Sequence, residues 1–319
     1  MEFTFLDRLL NPVPKARVLI VGSAFVDLLL RVDTLPVSGA DVKGDYQDAR
    51  VGGCSFNVAD VFFKLALPCE CLLPIGEGMI ASLIEKEFNR RHYPLTKFQG
   101  KGDNGWCLTL IEKNGERSFI TLPGIERRFE RAWFDAFDMA CFDYVYLSGY
   151  QCVGDNASVM LEGLSRLHER AIVVFDPGPL SASLDPAFTR ALERHRVLYT
   201  VNASEALALT GQTDVKAAAL ALAEHTATPA VITHGAEGAF LAKDSSVTLI
   251  PGFKITVADT VGSGDSHTGG LMAGLSLGFS LEESVTLGNL VAAWVTSRTG
   301  AACAPTVTEL RAFSANFRG

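Results

Sequence analysis

No stretch of this sequence comes near the roughly 18–20 consecutive apolar residues that a membrane span requires. The longest early run, VLIVGSAFVDLLL, is broken by Asp27, so no membrane partner is expected. Basic residues are in the minority, 28 Lys and Arg against 36 Asp and Glu, for a net charge of −8. That balance lacks the cationic footprint that a phosphate backbone needs and argues against nucleic acid as a partner. The opening MEFTFLDRLL has no basic n-region, so a secretory leader is not expected. The cysteines, seven in all, show no disulfide framework, and the Cys69-Glu70-Cys71 triplet has no second Cys/His pair at zinc-like spacing. Reduced thiols in a cytoplasmic protein are the expectation. Two phosphate motifs are also missing. There is no Gly-Lys-Ser/Thr P-loop, and VGSAFVD stands where a G-x-G-x-x-G would follow the first strand. A Walker-type site and a nicotinamide oxidoreductase are both disfavoured. No H-E-x-x-H occurs, which disfavours a zinc enzyme.

What the chain does contain is a regular rhythm. Of its 319 residues, 48% are hydrophobic and 20% charged, as in a globular protein with a large core. Short apolar runs (RVLIVG, CECLLPIG, YVYLSG, IVVFDP, VLYTVN, AVITHG) alternate with helical patterns such as FNVADVFFKLAL and VKAAALALAEHT. Strand and helix in alternation predict right-handed crossovers and a mostly parallel central sheet with helices on both faces. Two polar stretches break the pattern, residues 39–53 and 103–124, and the second carries the hairpin signal Asn114-Gly115. They read as insertions forming a small accessory sheet, either a lid or a plain edge hairpin. With no repeats or linkers, residues 1–319 are expected to be a single α/β domain.

The densest stretch is ADTVGSGDSHTGGLMAGLSLG, Ala258 to Gly278. A strand-like run, VTLIPGFKITVADT, leads into it and a small-residue helix leads out, so TVGSGD is expected where a strand turns into a helix. Ligands of open α/β sheets gather at such strand ends. A helix N-terminus adds unpaired N–H groups and a partial positive charge. The amides of Gly262, Ser263 and Gly264 are suited to surround a phosphoryl group. Asp265 would repel phosphate unless it takes a proton from a nucleophile; the alternative is an N-terminal cap.

DTVGSGDSHTGG closely resembles the D-T-x-G-A-G-D signature of the ribokinase-like (PfkB) carbohydrate kinases. Four more stretches resemble that family's motifs in order: VGGCSFNVA, VNASEA, ITHGAEGA and GNLVAAWVTSRTGA. The likeness runs from about Arg17 to Leu310 and is closest to bacterial members described only as sugar kinases. It implies a ribokinase-like α/β fold with a small β-sheet lid, and transfer of the γ-phosphoryl of ATP to an alcohol, usually a primary hydroxyl of a sugar or nucleoside.

The resemblance also assigns roles. Asp265 would be the base, with the Gly262–Gly264 amides as the anion hole; Ser263 departs from the usual Ala, a change a backbone donor tolerates. Asn202 and Glu205 match the motif that organises Mg²⁺ through water, and Asp176 is expected to join them unless it only forms an Asp-Pro turn. Thr233, Gly235 and Gly238 would lie along the nucleotide and Asn289 near adenine, if Asn289 is not a helix-surface amide. Asp259 resembles the ligand of a monovalent-cation site found in some members, which leaves K⁺ open. For the acceptor, Asp27 is placed at the end of the first strand run, with Gly52, Gly53 and Asn57 as the second element. Phe25 shares the Asp27 face and could stack on a base or a sugar. Asn104 could reach the acceptor as a lid closes. The acceptor itself stays open between a sugar and a nucleoside, pseudouridine-type included, as does a catalytically inactive metabolite-binding homologue. Lid strands of relatives often pair, so a homodimer is an expectation.

Overall fold

Val18–Val21 forms β1, and its four side chains alternate between two cores. Val18 and Ile20 join Val58, Leu271 and Leu290, whereas Leu19 and Val21 join Met160, Phe188 and Leu222. A strand buried on both faces in this way belongs in the middle of a layered α/β molecule. The structure, a computed structural model, describes residues 3–98 and 102–317. After β1 come β2 (Phe25–Val32), β3 (Gly44–Gly52), α1 (Cys54–Lys64), β4 (Glu70–Leu72), α2 (Met79–Arg91), β5 (Trp106–Ile111), β6 (Arg117–Leu122) and β7 (Tyr144–Ser148). Then follow α3 (Asn156–Leu164), β8 (Ile172–Asp176), α4 (Pro186–Leu192), β9 (Arg196–Asn202), α5 (Ala203–Thr210), α6 (Val215–Thr226) and β10 (Ala230–Thr233). The chain finishes with β11 (Gly238–Lys243), β12 (Ser246–Pro251), α7 (Ser263–Ser276), α8 (Leu281–Thr296) and α9 (Val307–Ser314).

The main sheet has eight strands in the order β12-β11-β10-β9-β8-β7-β1-β4. From β4 to β10 every pairing is parallel; β11 and β12 add antiparallel turns at one edge. A separate sheet of four strands, β3-β2-β5-β6, stands beside it. The central sheet, its helices on both faces and the small sheet are as the sequence predicts.

Two boundaries differ from expectation. The run VLIVGSAFVDLLL is split at residues 22–24: β1 stays in the main sheet, and β2 crosses into the small one. Asp27 therefore sits inside β2 instead of ending the first strand. Gly22 makes the crossing tight, since a Cβ there would overlap the Ser55 hydroxyl. The second difference is at VTLIPGFKITVADT. β12 stops at Pro251, and residues 252–257 have no regular structure, because Pro251 and Gly252 end the ladder. TVGSGD thus follows a loop, not a strand.

The small residues of α7 have a packing purpose. Gly269 faces Val61 of α1, Gly270 faces the Gly288 backbone of α8 and Gly274 faces Ser284. Added methyl groups would meet those neighbours at 2.7–2.8 Å. The Thr268 and Thr200 hydroxyls hydrogen-bond at 2.9 Å and tie α7 to β9.

Candidate active site

Gly262 precedes α7 with φ +74°, a left-handed conformation that favours glycine. It is the cap residue and makes no side-chain cap bond, so Asp265 is not the cap. The Asp265 carboxylate instead accepts a hydrogen bond from Asn57 Nδ2 at 2.7 Å. Burial pushes its carboxyl above the usual range, opposed by Asn57 and by Cys54. A carboxylate so placed is ready to take a proton.

The three amides do not share one environment. The Ser263 N–H donates to the Thr260 carbonyl at 3.2 Å, and the Ser263 hydroxyl accepts from Thr296 Oγ1 at 3.0 Å. Ser263 is therefore not a bare donor, because the turn leading into α7 closes on it. Among the described residues the Gly262 and Gly264 amides have no protein acceptor. Space above Gly264 is open: nothing lies within 4 Å of where a Cβ would stand. Two free amides at a helix start form an anion-binding arrangement.

Across from them lies a cradle. A Cβ on Gly52 would stand 3.3 Å from Asp27 Oδ2 and 4.0 Å from Asn57 Oδ1, so glycine keeps the space between these two groups open. Asn57 Oδ1 is buried with no partner, an acceptor waiting for a donor. Burial raises the Asp27 carboxyl, with Arg50, directly opposite on β3, opposing the shift. Phe25 shares the Asp27 face of β2, and Gly53 (φ +100°) begins α1 against the Ser23 carbonyl. Asp27 and Gly52 line a cavity of about 770 Å³ that reaches Gly300 and Ala301.

Asn104 does a different job from the one expected. It is buried, its Oδ1 accepts from Gly76 N at 2.9 Å, and its Nδ2 donates to the Pro74 carbonyl at 2.8 Å and the Ala24 carbonyl at 3.5 Å. Both amide hydrogens are committed to joining loops. Its neighbour Asp103 accepts from Ile80 N and Ala81 N and so caps α2.

Asp176, Glu205 and Asp265 form an electrostatic set. Burial, then Asp265 and Glu205, push the Asp176 carboxyl well up. Burial also raises Glu205, with Asn202 opposing and Asp265 adding. Asp176 Oδ1 accepts the Gly178 N–H at 3.0 Å, so the turn-forming role and the buried charge coexist. Asn202 and Glu205 close a capping box on α5: Asn202 Oδ1 accepts from Glu205 N and Glu205 Oε2 from Asn202 N, both at 2.9 Å. Among the described residues no three His, Cys, Asp or Glu side chains can hold a metal ion directly. Carboxylates that raise one another favour a cation among them, and Mg²⁺ keeps its waters, so this donor set fits a hydrated ion.

Among the residues expected along the nucleotide, Thr233 ends β10 and donates to the Val201 carbonyl at 3.4 Å. Gly235 (φ +57°) faces open space, whereas Gly238 (φ +111°) lies where a Cβ would overlap the Ile250 carbonyl. Asn289 is no surface amide: it is buried, and Nδ2 donates to the Ile250 and Pro251 carbonyls at 3.0 and 3.1 Å. It pins α8 to the end of β12. Asp259 is similarly occupied. Its oxygens accept from Val261 N and Gly300 N, both at 3.2 Å, and Arg117 Nη1 lies 3.9 Å away. The guanidinium alongside would compete with the K⁺ expected there.

The profile of the pfkB family carbohydrate kinases matches residues 15–307. The chain is 33% identical over 297 residues to the uncharacterized sugar kinase YegV of Escherichia coli (strain K12), spanning 92% of each. The chain belongs to the pfkB family of carbohydrate kinases. It is similar also to an ATP-dependent ribose-1-phosphate kinase of Halopiger xanaduensis, 23% identical over 93% of this chain and 97% of that one. Ribokinase from Thermotoga maritima shares the fold, with a TM-score of 0.82 at 23% identity, covering 94% of this kinase and 100% of that chain. This kinase is a phosphotransferase with an alcohol acceptor, of the sugar and nucleoside class, and kinases of this family use ATP.

Several neighbours of the site escape the motif reading. Cys54, first in α1, has a thiol pushed well up by burial and then by Asp265 and Asp176. Ala301 presses on Gly262, with its Cβ 2.6 Å from where a methyl would stand. Arg50 shares a strand face with Gly52, two residues on, and period two in ARVGG was the available signal.

Proposed function

We propose that this kinase transfers the γ-phosphoryl of ATP to a hydroxyl of a sugar, with Asp265 as general base. The reading is carried by the start of α7, where the Asp265 carboxylate stands 2.7 Å from Asn57 beside two unpaired amides. The acceptor hydroxyl would lie between Asp265 and the Asp27–Gly52–Asn57 cradle. Asp265 takes its proton as the oxygen attacks, and the Gly262 and Gly264 amides hold the charge on the moving phosphoryl. Asp176 and Glu205 would hold Mg²⁺ through water, and the ion when bound screens the phosphate charges. Asn57 has a double duty, orienting the base with Nδ2 and receiving an acceptor hydroxyl at Oδ1. A nucleoside acceptor is the second reading, favoured by Phe25 on the cradle face.

A coupled assay with ATP and Mg²⁺ over pentoses, hexoses and nucleosides, pseudouridine among them, is expected to give turnover. Asp265→Asn should lower kcat by roughly 10²–10⁴-fold while ATP still binds. An Asp265→Asn enzyme of full activity removes the base assignment. Tight acceptor binding without any turnover would instead make the protein a metabolite sensor of the same fold.

A further inference from the structure

The cavity beside Asp27 is walled by one face of the small sheet. The register sends Asp27 of β2, Asp48 and Arg50 of β3, Thr109 of β5 and Arg117 of β6 to that face. Arg50 and Arg117 stand on the two opposite edge strands, yet both reach the loop after α8. Arg50 Nη1 lies 3.3 Å from where a Cβ of Gly300 would be. Arg117 Nη1 lies 3.9 Å from Asp259 Oδ1, whose other oxygen accepts the Gly300 N–H.

Neither guanidinium is used up by the protein. Arg50 donates Nε to Asp48 Oδ2 at 2.6 Å, which fixes its direction, and among the described residues its Nη groups have no acceptor. The Arg117 guanidinium makes no hydrogen bond among them, 3.9 Å being beyond that range. The acids of the wall are otherwise engaged. Asp48 holds Arg50 and the Ala49 amide, Glu87 pairs with Arg90 and Arg91, and Asp259 takes two amides. Asp27 alone is left for hydroxyls.

We infer that the acceptor carries, besides the hydroxyl presented to Asp265, an anionic substituent gripped by Arg50 and Arg117. The shared chemistry is that of a phosphate monoester or a carboxylate, either of which a guanidinium meets with paired hydrogen bonds. This rests on the kinase reading of the site. The order of contacts supports it: Asp265 touches Asn57, Gly52 separates Asn57 from Asp27, and Asp27 faces Arg50. The charged substituent thus lies at the far end of the acceptor from the reacting hydroxyl. In the transfer, the hydroxyl oxygen bonds to the γ-phosphorus as the bond to the β–γ bridging oxygen breaks. ADP leaves with that electron pair, Asp265 takes the proton, and the anionic substituent is unchanged.

The test compares neutral pentoses and hexoses with their phosphate monoesters and their sugar acids, with kcat and KM measured separately. One charged series is expected to exceed the neutral one in kcat/KM by at least about 30-fold, and which series does so identifies the anion. Arg50→Gln and Arg117→Gln should each raise KM for that series by about 10–100-fold and leave KM for ATP unchanged. Neutral acceptors preferred or equal, or a KM indifferent to both substitutions, overturns the inference. If nothing is phosphorylated, the kinase reading fails separately. Calorimetric titration of the same compounds then reads the grip directly: charged ones must bind, and Arg50→Gln must weaken them. No binding of either charged series overturns the grip.

Discussion

His267 occupies the space between α7 and α8, 2% exposed, with neither ring nitrogen hydrogen-bonded. Burial pushes its ring down to about 4, and Asn289 nearby opposes the shift. An unfolded chain would protonate this ring near pH 6.5. Between about 6.5 and 4 the unfolded state alone binds the proton, so the stability tied to a neutral ring is complete above that window and is lost as pH falls through it. The loss is up to roughly 3 kcal/mol. Urea unfolding at pH 7.5 and pH 5 should show a clear drop, and His267→Leu should shrink it. An equal drop in the variant would assign it to other groups. Single residues were the least legible level of the sequence. The cluster of Gly262, Gly264 and Asp265 could be found because its motif is local. The fates of Asn104 and Asn289 could not, since an amide's role depends on which distant carbonyls the fold brings to it.

At the scale of elements, the capping box on α5 has two roles to separate. Asn202 and Glu205 satisfy each other's backbone amides, and Glu205 also adds charge to the Asp176–Asp265 set. Asn202→Ala should cost about 1 kcal/mol of stability by urea titration. It should also raise the Mg²⁺ concentration for half-maximal rate, because the Glu205 carboxylate loses its orientation. Lost stability with an unmoved Mg²⁺ requirement would leave the motif a helix cap and nothing more. Element types were legible from periodicity, but sheet membership was not. β1 and β2 read as one apolar run, and the pairings of β2 with β3 and with β5, the latter some eighty residues on, assign it to the small sheet. FKITVADT is strand-like in composition, yet past Pro251 it has no partner strand.

Across the whole molecule, Asp60 holds three regions together. It is 1% exposed and accepts from Arg91 Nη1 and Tyr93 OH, both at 2.6 Å, and from Ala304 N at 3.0 Å. These bonds join α1, the end of α2 and the loop after α8, whose Ala301 presses on Gly262. Asp60→Ala removes the acceptor shared by Arg91, Tyr93 and Ala304, leaves Arg91 with Glu87 and the Ala302 carbonyl, and should cost about 1–3 kcal/mol. It should also lower kcat through the loosened loop, whereas Asp60→Asn should retain more of both. Unfolding curves and kinetics on the two variants check this. A hub of this kind is invisible in a motif, because its partners lie 31, 33 and 244 residues away.

The pairing of β1 with β7, Val18 opposite Tyr144, encloses the entire small sheet in the intervening chain. A nascent polypeptide leaving the ribosome must therefore display its first strand with one neighbour missing until more than a hundred further residues have been made. Contacts so distant in sequence slow the search for the native state. During that delay β1 presents an unpaired edge, so newly made chains should depend on chaperones more than the finished fold, with β1 at its centre, would suggest.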